Sequence, residues 1–272
     1  MLIDAFKGDF FDELDTLSGQ LSAWNGLYLL VDGAFVPGLH RTLTAESKSL
    51  LFASLPGCRD ETADASPFLT PYVPRGKRLR SLLHRCSGWP MLSLIETPES
   101  LAQLTVRLSA WCVVEADDQR FNFRFPDTRR LPAIFRTLNP AQRTQFTGPA
   151  VRWIYINREG SWSELDVTGV IAEPATNPLL NGQQFAALVD DSRIDEVLVL
   201  LGDRGRAVGR HPSASHACVT DALRAAVLEE LADEDVLDWC DWYWQHAETN
   251  TASPVQAAFQ AWRNISLTEK TK

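Results

Sequence analysis

No apolar run in the 272-residue chain reaches the roughly 18–20 residues that a membrane-spanning helix needs. The longest, such as Leu27–Val31 and Val197–Leu201, have the length of a strand or a buried helical stretch. Residues 1–30 lack the basic-then-apolar order of a secretory leader, because Asp4, Asp9, Asp12, Glu13 and Asp15 interrupt it. Cysteine is sparse. Cys58, Cys86, Cys112, Cys218 and Cys240 are odd in number, widely spaced and free of any CxxC pair. That pattern suits free thiols in a reducing compartment better than a disulfide framework, so the expected location is the cytoplasm. Basic residues are outnumbered, 26 Lys and Arg against 35 Asp and Glu, giving a net charge of −9. A general nucleic-acid binder needs the opposite balance to displace phosphate counterions. Also missing are GxSxG, HExxH and GxxxxGK[ST].

What is present in excess is tryptophan, at nine residues. Tryptophan is common at contact surfaces, so the composition raises the question of what this acidic chain touches. The first half mixes strands and helices. Leu27–Asp32 reads as a buried strand closed by the turn Asp32-Gly33, and Met91–Ile95 as a second strand. Thr97 as N-cap with Pro98 next predicts a helix carrying Leu101, Leu104 and Leu108. Arg120–Phe125 alternates, with Phe121, Phe123 and Phe125 on one side and Asn122 and Arg124 on the other. Pro126 stops it, and Asp127 is placed to cap a helix with Leu131, Ile134, Phe135 and Leu138 on one face. Asn139-Pro140-Ala141-Gln142 has the form of a capping box, and Val151–Ile156 with Trp162–Asp166 that of a hairpin.

From residue 181 onward the pattern is helical. Phe185, Leu188 and Val189 mark one helix, and Ile194, Val197, Leu198 and Leu201 the next. A third covers Ser213–Leu231, a fourth follows Asp233, and Ser253-Pro254-Val255-Gln256 opens a last one bearing Phe259 and Trp262. The expected architecture is two-lobed: an α+β or α/β lobe at 1–166 with a short mixed sheet and packed helices, a linker at 167–180, and an all-α lobe at 181–272. No catalytic, metal-binding or cofactor-binding set emerges. The glycines between Gly202 and Gly209 follow a helix and read as its C-terminal loop. His211, His216, Cys218, Cys240, Asp241 and His246 match no standard zinc spacing. Asp117-Asp118, Asp190-Asp191 and Asp233-Glu234-Asp235 sit where turns and helix starts use carboxylates.

Charge is unevenly spread. Arg75, Lys77, Arg78, Arg80 and Arg85 form an acid-free stretch, readable as a solvated helix face or a surface for an acidic partner. Between Asp221 and Glu248 nine acids face Arg224 alone, a local net charge of −8. The same stretch holds Trp239, Trp242, Tyr243 and Trp244, which span more than one helix face. With Trp262 they are candidates for a partner-binding surface, and a purely core role is the alternative.

Several pieces, taken in order, resemble one family. They are Leu27-Tyr28-Leu29-Leu30-Val31-Asp32-Gly33-Ala34, Ser66-Pro67-Phe68-Leu69, the helix with Leu101, Leu104 and Leu108, and Phe123-Arg124-Phe125-Pro126-Asp127-Thr128-Arg129. The helix to Leu138 follows, then Gln142, Phe146, Gly148-Pro149 and Trp153. Together they resemble the effector chaperone or adaptor proteins of bacterial type VI secretion systems, of the Tap/Tec kind. Pro126 stands where that family commonly has an aromatic, and Thr128 where it has proline. The resemblance covers residues 20–156. It implies a cytoplasmic, non-catalytic protein that binds a type VI effector, stabilises it and helps load it onto the VgrG spike, in some cases through a PAAR region. It implies no nucleic-acid or membrane partner, and a variable helical C-terminal lobe. Asp32, Arg124, Asp127 and Arg129 are the signature residues. An arginine taken out of water needs a carboxylate, so Arg124 or Arg129 is expected to pair with Asp32 or Asp127. An immunity-type protein that blocks a toxin, or an enzyme of unrecognised class, are the competing readings.

Overall fold

The computed structural model describes residues 2–20, 22, 24–55, 58–246 and 255–270. In chain order the elements are α1 (Phe10–Gly19), β1 (Gly26–Val31), β2 (Ser49–Leu50), α2 (Asp60–Asp64), β3 (Phe68–Pro71), α3 (Lys77–Cys86), β4 (Leu92–Thr97), α4 (Leu101–Ala110), β5 (Val113–Ala116) and β6 (Gln119–Asn122). They continue with α5 (Leu131–Thr137), α6 (Pro140–Thr147), β7 (Arg152–Ile156), β8 (Trp162–Leu165), α7 (Gly182–Asp203), α8 (Pro212–Leu228), α9 (Asp233–His246) and α10 (Val255–Lys270). Two compact units result, Met1–Asp191 and Ser192–Lys272.

In the first unit six strands form one sheet in the order β2-β3-β1-β4-β7-β8, each neighbouring pair antiparallel. Antiparallel pairing places the unit in the α+β class. Both faces of the sheet are covered, which is why β1 reads as a continuous apolar run. Tyr28, Leu30, Ile95 and Trp153 face one core with Leu104, Leu108, Ile134 and Phe146 from α4, α5 and α6. Leu27, Leu29, Val31, Leu94 and Ile154 face the other, with Phe10 and Leu14 from α1 and Leu79, Leu82 and Leu83 from α3. The hairpin β5–β6 stands apart from the sheet.

Several helix starts lie elsewhere than the sequence suggests. α4 begins three residues late because Ser100, not Thr97, caps it: Ser100 and Gln103 form a reciprocal capping box. Thr97 instead ends β4, and its hydroxyl accepts the Glu99 N–H at 3.2 Å. β6 ends at Asn122, so Phe123–Phe125 lie beyond the strand, although Phe123 and Phe125 remain buried. Asp127 does not cap α5. Its backbone carbonyl accepts from Arg130 and Leu131 while its carboxylate is engaged by Arg129. The capping box at Asn139 and Gln142 and the β7–β8 hairpin stand as the sequence implies.

Residues 167–180 belong with the first unit. Val167 and Leu180 pack on its core, the Leu180 N–H donates to the Glu115 carbonyl of β5, and the Glu115 N–H donates to the Pro178 carbonyl. The two helices expected between 185 and 201 are one, α7, which carries on through Asp190-Asp191. Its start is fixed by Asn181 and Gln184, which bond each other's backbone N–H groups at 2.8 and 3.0 Å. The second unit is all-helical, with Val197, Leu201, Val219, Ala222, Trp239, Phe259 and neighbours forming its core. Ser253 and Pro254, the expected cap of α10, lie outside the described residues.

Candidate partner-binding surfaces

The four signature residues fall into two adjoining ion pairs. β1 ends where the chain turns at Asp32-Gly33, burying Asp32 to 1% exposure. Its carboxylate accepts from Arg124 at 2.9 Å and from the Ala34 N–H at 3.0 Å. Burial pushes the Asp32 carboxyl up, and the Arg124 guanidinium beside it pulls the other way. Arg129 grips Asp127 with two bonds, at 3.1 and 2.7 Å. Both guanidinium groups lie over the Phe35 ring, at 5.4 and 5.7 Å from its centroid, and Phe35 in turn stacks on Trp89. Thr128, between them, anchors the turn to the start of β4 by donating its N–H to Pro90 at 2.9 Å. The arrangement ties the β1 end, the β6 exit and the loop before β4 into one brace. A small cavity of about 90 Å³ adjoins it, lined by Asp32, Cys112, Phe123 and Arg124.

A second polar node escaped the sequence reading. Arg107 on α4 is 3% exposed and bonds Glu99 at 2.9 Å, the Gln145 carbonyl at 3.0 Å and the Ala172 carbonyl at 2.9 Å. One side chain therefore joins α4, the end of α6 and the 167–180 segment. The signal was present: Arg107 lies one turn on from Leu104 and beside Leu108, on the apolar face of α4. Gly148, at φ +55°, lets the chain pass this guanidinium, where a Cβ would overlap it. Beside the node opens a groove of about 530 Å³, with Pro98, Ala102, Val106, Pro149, Ile171 and Pro174 among its walls.

The aromatic candidates of the second unit separate into two groups. Trp239 is fully buried and donates its indole N–H to the Ala222 carbonyl at 2.8 Å. Trp262 is 6% exposed, and its ring lies 5.6 Å from those of Trp239 and Phe259. Both hold the helices together, and neither offers contact surface. Trp242, Tyr243 and Trp244 are half-buried and flank that core, with Trp242 stacked on His246 at 4.0 Å. The acids of α9 are partly spoken for. Asp233 meets Arg193, Asp238 meets Arg204, and Asp241 is held by Arg206 and Arg204. Hydrogen bonding to Arg206 keeps the Asp241 carboxyl below the usual range.

Among the described residues no group of three or more His, Cys, Asp or Glu side chains is gathered for a metal ion. No helix among them is long and apolar enough to cross a membrane. The five cysteines are free thiols, and burial pushes those of Cys86, Cys112 and Cys240 up to about 12 and that of Cys218 to about 11.

Fold and site define a braced α+β unit followed by a helical unit. Residues 27–145, from β1 into α6, match the family model described as a domain of unknown function, DUF4123. That span contains Asp32, Arg107, Arg124, Asp127 and Arg129. No curated protein and no solved structure matches the chain.

Proposed function

We propose that this protein is a chaperone or adaptor that binds a type VI secretion effector and helps load it onto the VgrG spike. The observation that carries the reading is a coincidence of position. The family match at 27–145 falls on the segment whose ordered pieces resemble type VI adaptors. The physical design is in keeping with a binding role. The buried carboxylates Asp32 and Asp127 and the buried Arg107 of that segment are each paired with an opposite charge, which makes these pairs braces. Half-buried rings on α9 and the groove beside α4 leave apolar surface for contact. In this reading the protein acts in the cytoplasm, takes no cofactor and performs no chemistry on its cargo.

The test is a three-component reconstitution of this protein with a type VI effector and a VgrG spike protein from the same genome. The expected result is that effector and spike co-elute only when this protein is present. A toxin that joins the spike equally well without it would overturn the loading role. A toxin whose activity is blocked by this protein through its catalytic region would favour the immunity reading.

A further inference from the structure

α3 carries its charge in a position that does not help the helix. Lys77 and Arg78 occupy its first turn, where no acid is present and Gly76 supplies no capping side chain. Cations at that end oppose the helix macrodipole. At 3.6 residues per turn, Lys77, Arg78, Ser81, His84 and Arg85 fall within about 120° around the axis. All five are exposed, opposite the buried Leu79, Leu82, Leu83 and Cys86. Arg80, on the flank, is taken by Asp15 at 2.8 Å. Among the described residues, Arg75, Lys77, Arg78 and Arg85 form no ion pair. Three uncompensated cations on this face, with Arg75 two residues before the helix, stand out in a chain of net charge −9.

The same end of the sheet delivers two apolar side chains to solvent. β1 and β3 pair with Tyr28 opposite Pro71, and the Tyr72 N–H donates to the Leu27 carbonyl at 2.7 Å. Residues just before β1 and just after β3 therefore leave the sheet at the same end, with Ser22 and Asn25 held to Glu96 of β4. Trp24 precedes β1 and is 88% exposed, while Val73 follows β3 and is 60% exposed. Val73 joins directly to the helix start, its carbonyl accepting the Gly76 N–H at 3.2 Å.

We propose that Trp24, Val73 and the cationic face of α3 form a docking surface for an acidic protein segment that carries an apolar anchor. The anchor packs on Trp24 and Val73, and carboxylates meet Arg75, Lys77 and Arg78, with Arg85 two turns further on. Tryptophan and arginine are the side chains in which interface hot spots are richest. Unpaired cations supply steering and selectivity for negative partners. A protein segment fits better than nucleic acid, because Trp24 is one ring, not a series of stacking platforms, and Val73 adds an aliphatic contact that suits an apolar side chain. The surface adds a partner chemistry to the adaptor reading but does not require it.

A peptide probe tests the surface without any effector, so its failure leaves the adaptor reading standing. A labelled helical peptide of about four turns, rich in glutamate with leucine on one face, is titrated into the full chain at low salt and followed by anisotropy. Controls are the same peptide with glutamine for glutamate, and a single-stranded oligonucleotide. The glutamate peptide is expected to bind about tenfold more tightly than either control. Lys77→Glu with Arg78→Glu should weaken it about tenfold, the paired glutamine variant by less, and Trp24→Ala about threefold. These positions are exposed, and circular dichroism verifies that each variant is folded. Absence of binding, equal binding of the glutamine peptide or oligonucleotide, or variants indistinguishable from the parent protein would each overturn the proposal.

Discussion

Arg107 joins three separate stretches of the first unit through one buried side chain. Arg107→Met would leave the Glu99 carboxylate and the Gln145 and Ala172 carbonyls without their donor. Breaking a buried pair from one side typically costs about 3–5 kcal/mol, and denaturant unfolding should register a loss of that order. Asp32 calls for a pH measurement. Burial already holds its folded carboxyl above the unfolded value, so ionisation works against folding as pH rises through that range. Arg124→Met removes the group that offsets this and raises the folded value further. The variant's deficit, about 1–3 kcal/mol for an unsatisfied buried group, should therefore be larger at pH 8 than at pH 4.5. A deficit that is flat with pH would contradict the pairing. The thiols give a third check: native alkylation at pH 8 should modify Cys58 well before Cys86, Cys112 and Cys240, which burial keeps protonated. The Asp32–Arg124 pair was foreseeable because Asp32 ends a buried strand and its carboxylate needs a cation, which Arg124 supplies from a side chain that stays 41% exposed. The burial of Arg107 was legible from its place on the apolar face of α4, whereas its partners lie in three separate stretches of chain, a relation that no local pattern displays.

Elements were readable where their signals are local. The Asn139–Gln142 box and the strand Gly26–Val31 are cases, since capping and unbroken burial leave marks within a few residues. α4 was misplaced because two capping signals, Thr97-Pro98 and Ser100-Gln103, compete within four positions, and β4 extends through the first. Asp190-Asp191 suggested a helix break, yet carboxylates are tolerated at exposed or half-exposed positions of a long helix, and α7 runs on. In the β5–β6 hairpin, Asp117 and Asp118 both adopt positive φ, 48° and 58°, as a two-residue turn of this kind requires. Asp118→Gly should relieve that strain and raise stability by up to about 1 kcal/mol, measurable as an increase in Tm. α9 separates packing from contact. Trp239→Ala should cost about 3–5 kcal/mol, whereas Trp244→Ala should stay within about 1 kcal/mol and weaken cargo capture. Equal loss of stability in both would place the Trp244 ring in the core.

At the scale of the whole molecule, the division into an α+β part and a helical part followed from the change in hydrophobic period along the chain. The division itself lies at Asp191–Ser192, further along than residues 167–180. Those residues carry the prolines of a linker, Pro174 and Pro178, but backbone bonds at Pro178 and Leu180 and the Arg107–Ala172 contact hold them to the first unit. Net charge proved less informative than its placement. The −8 segment is threaded by arginines from α7 and the loop after it, while the smaller cationic face of α3 forms no ion pair among the described residues. The central claim is that this protein binds a toxin outside its catalytic region. Capture of a type VI effector from the same genome, divided into N- and C-terminal parts, tests it most directly. Retention of the non-catalytic part by the folded full-length protein, together with a higher soluble yield of the intact effector, is the expected result. Retention of neither part, or of the catalytic part alone, would contradict it.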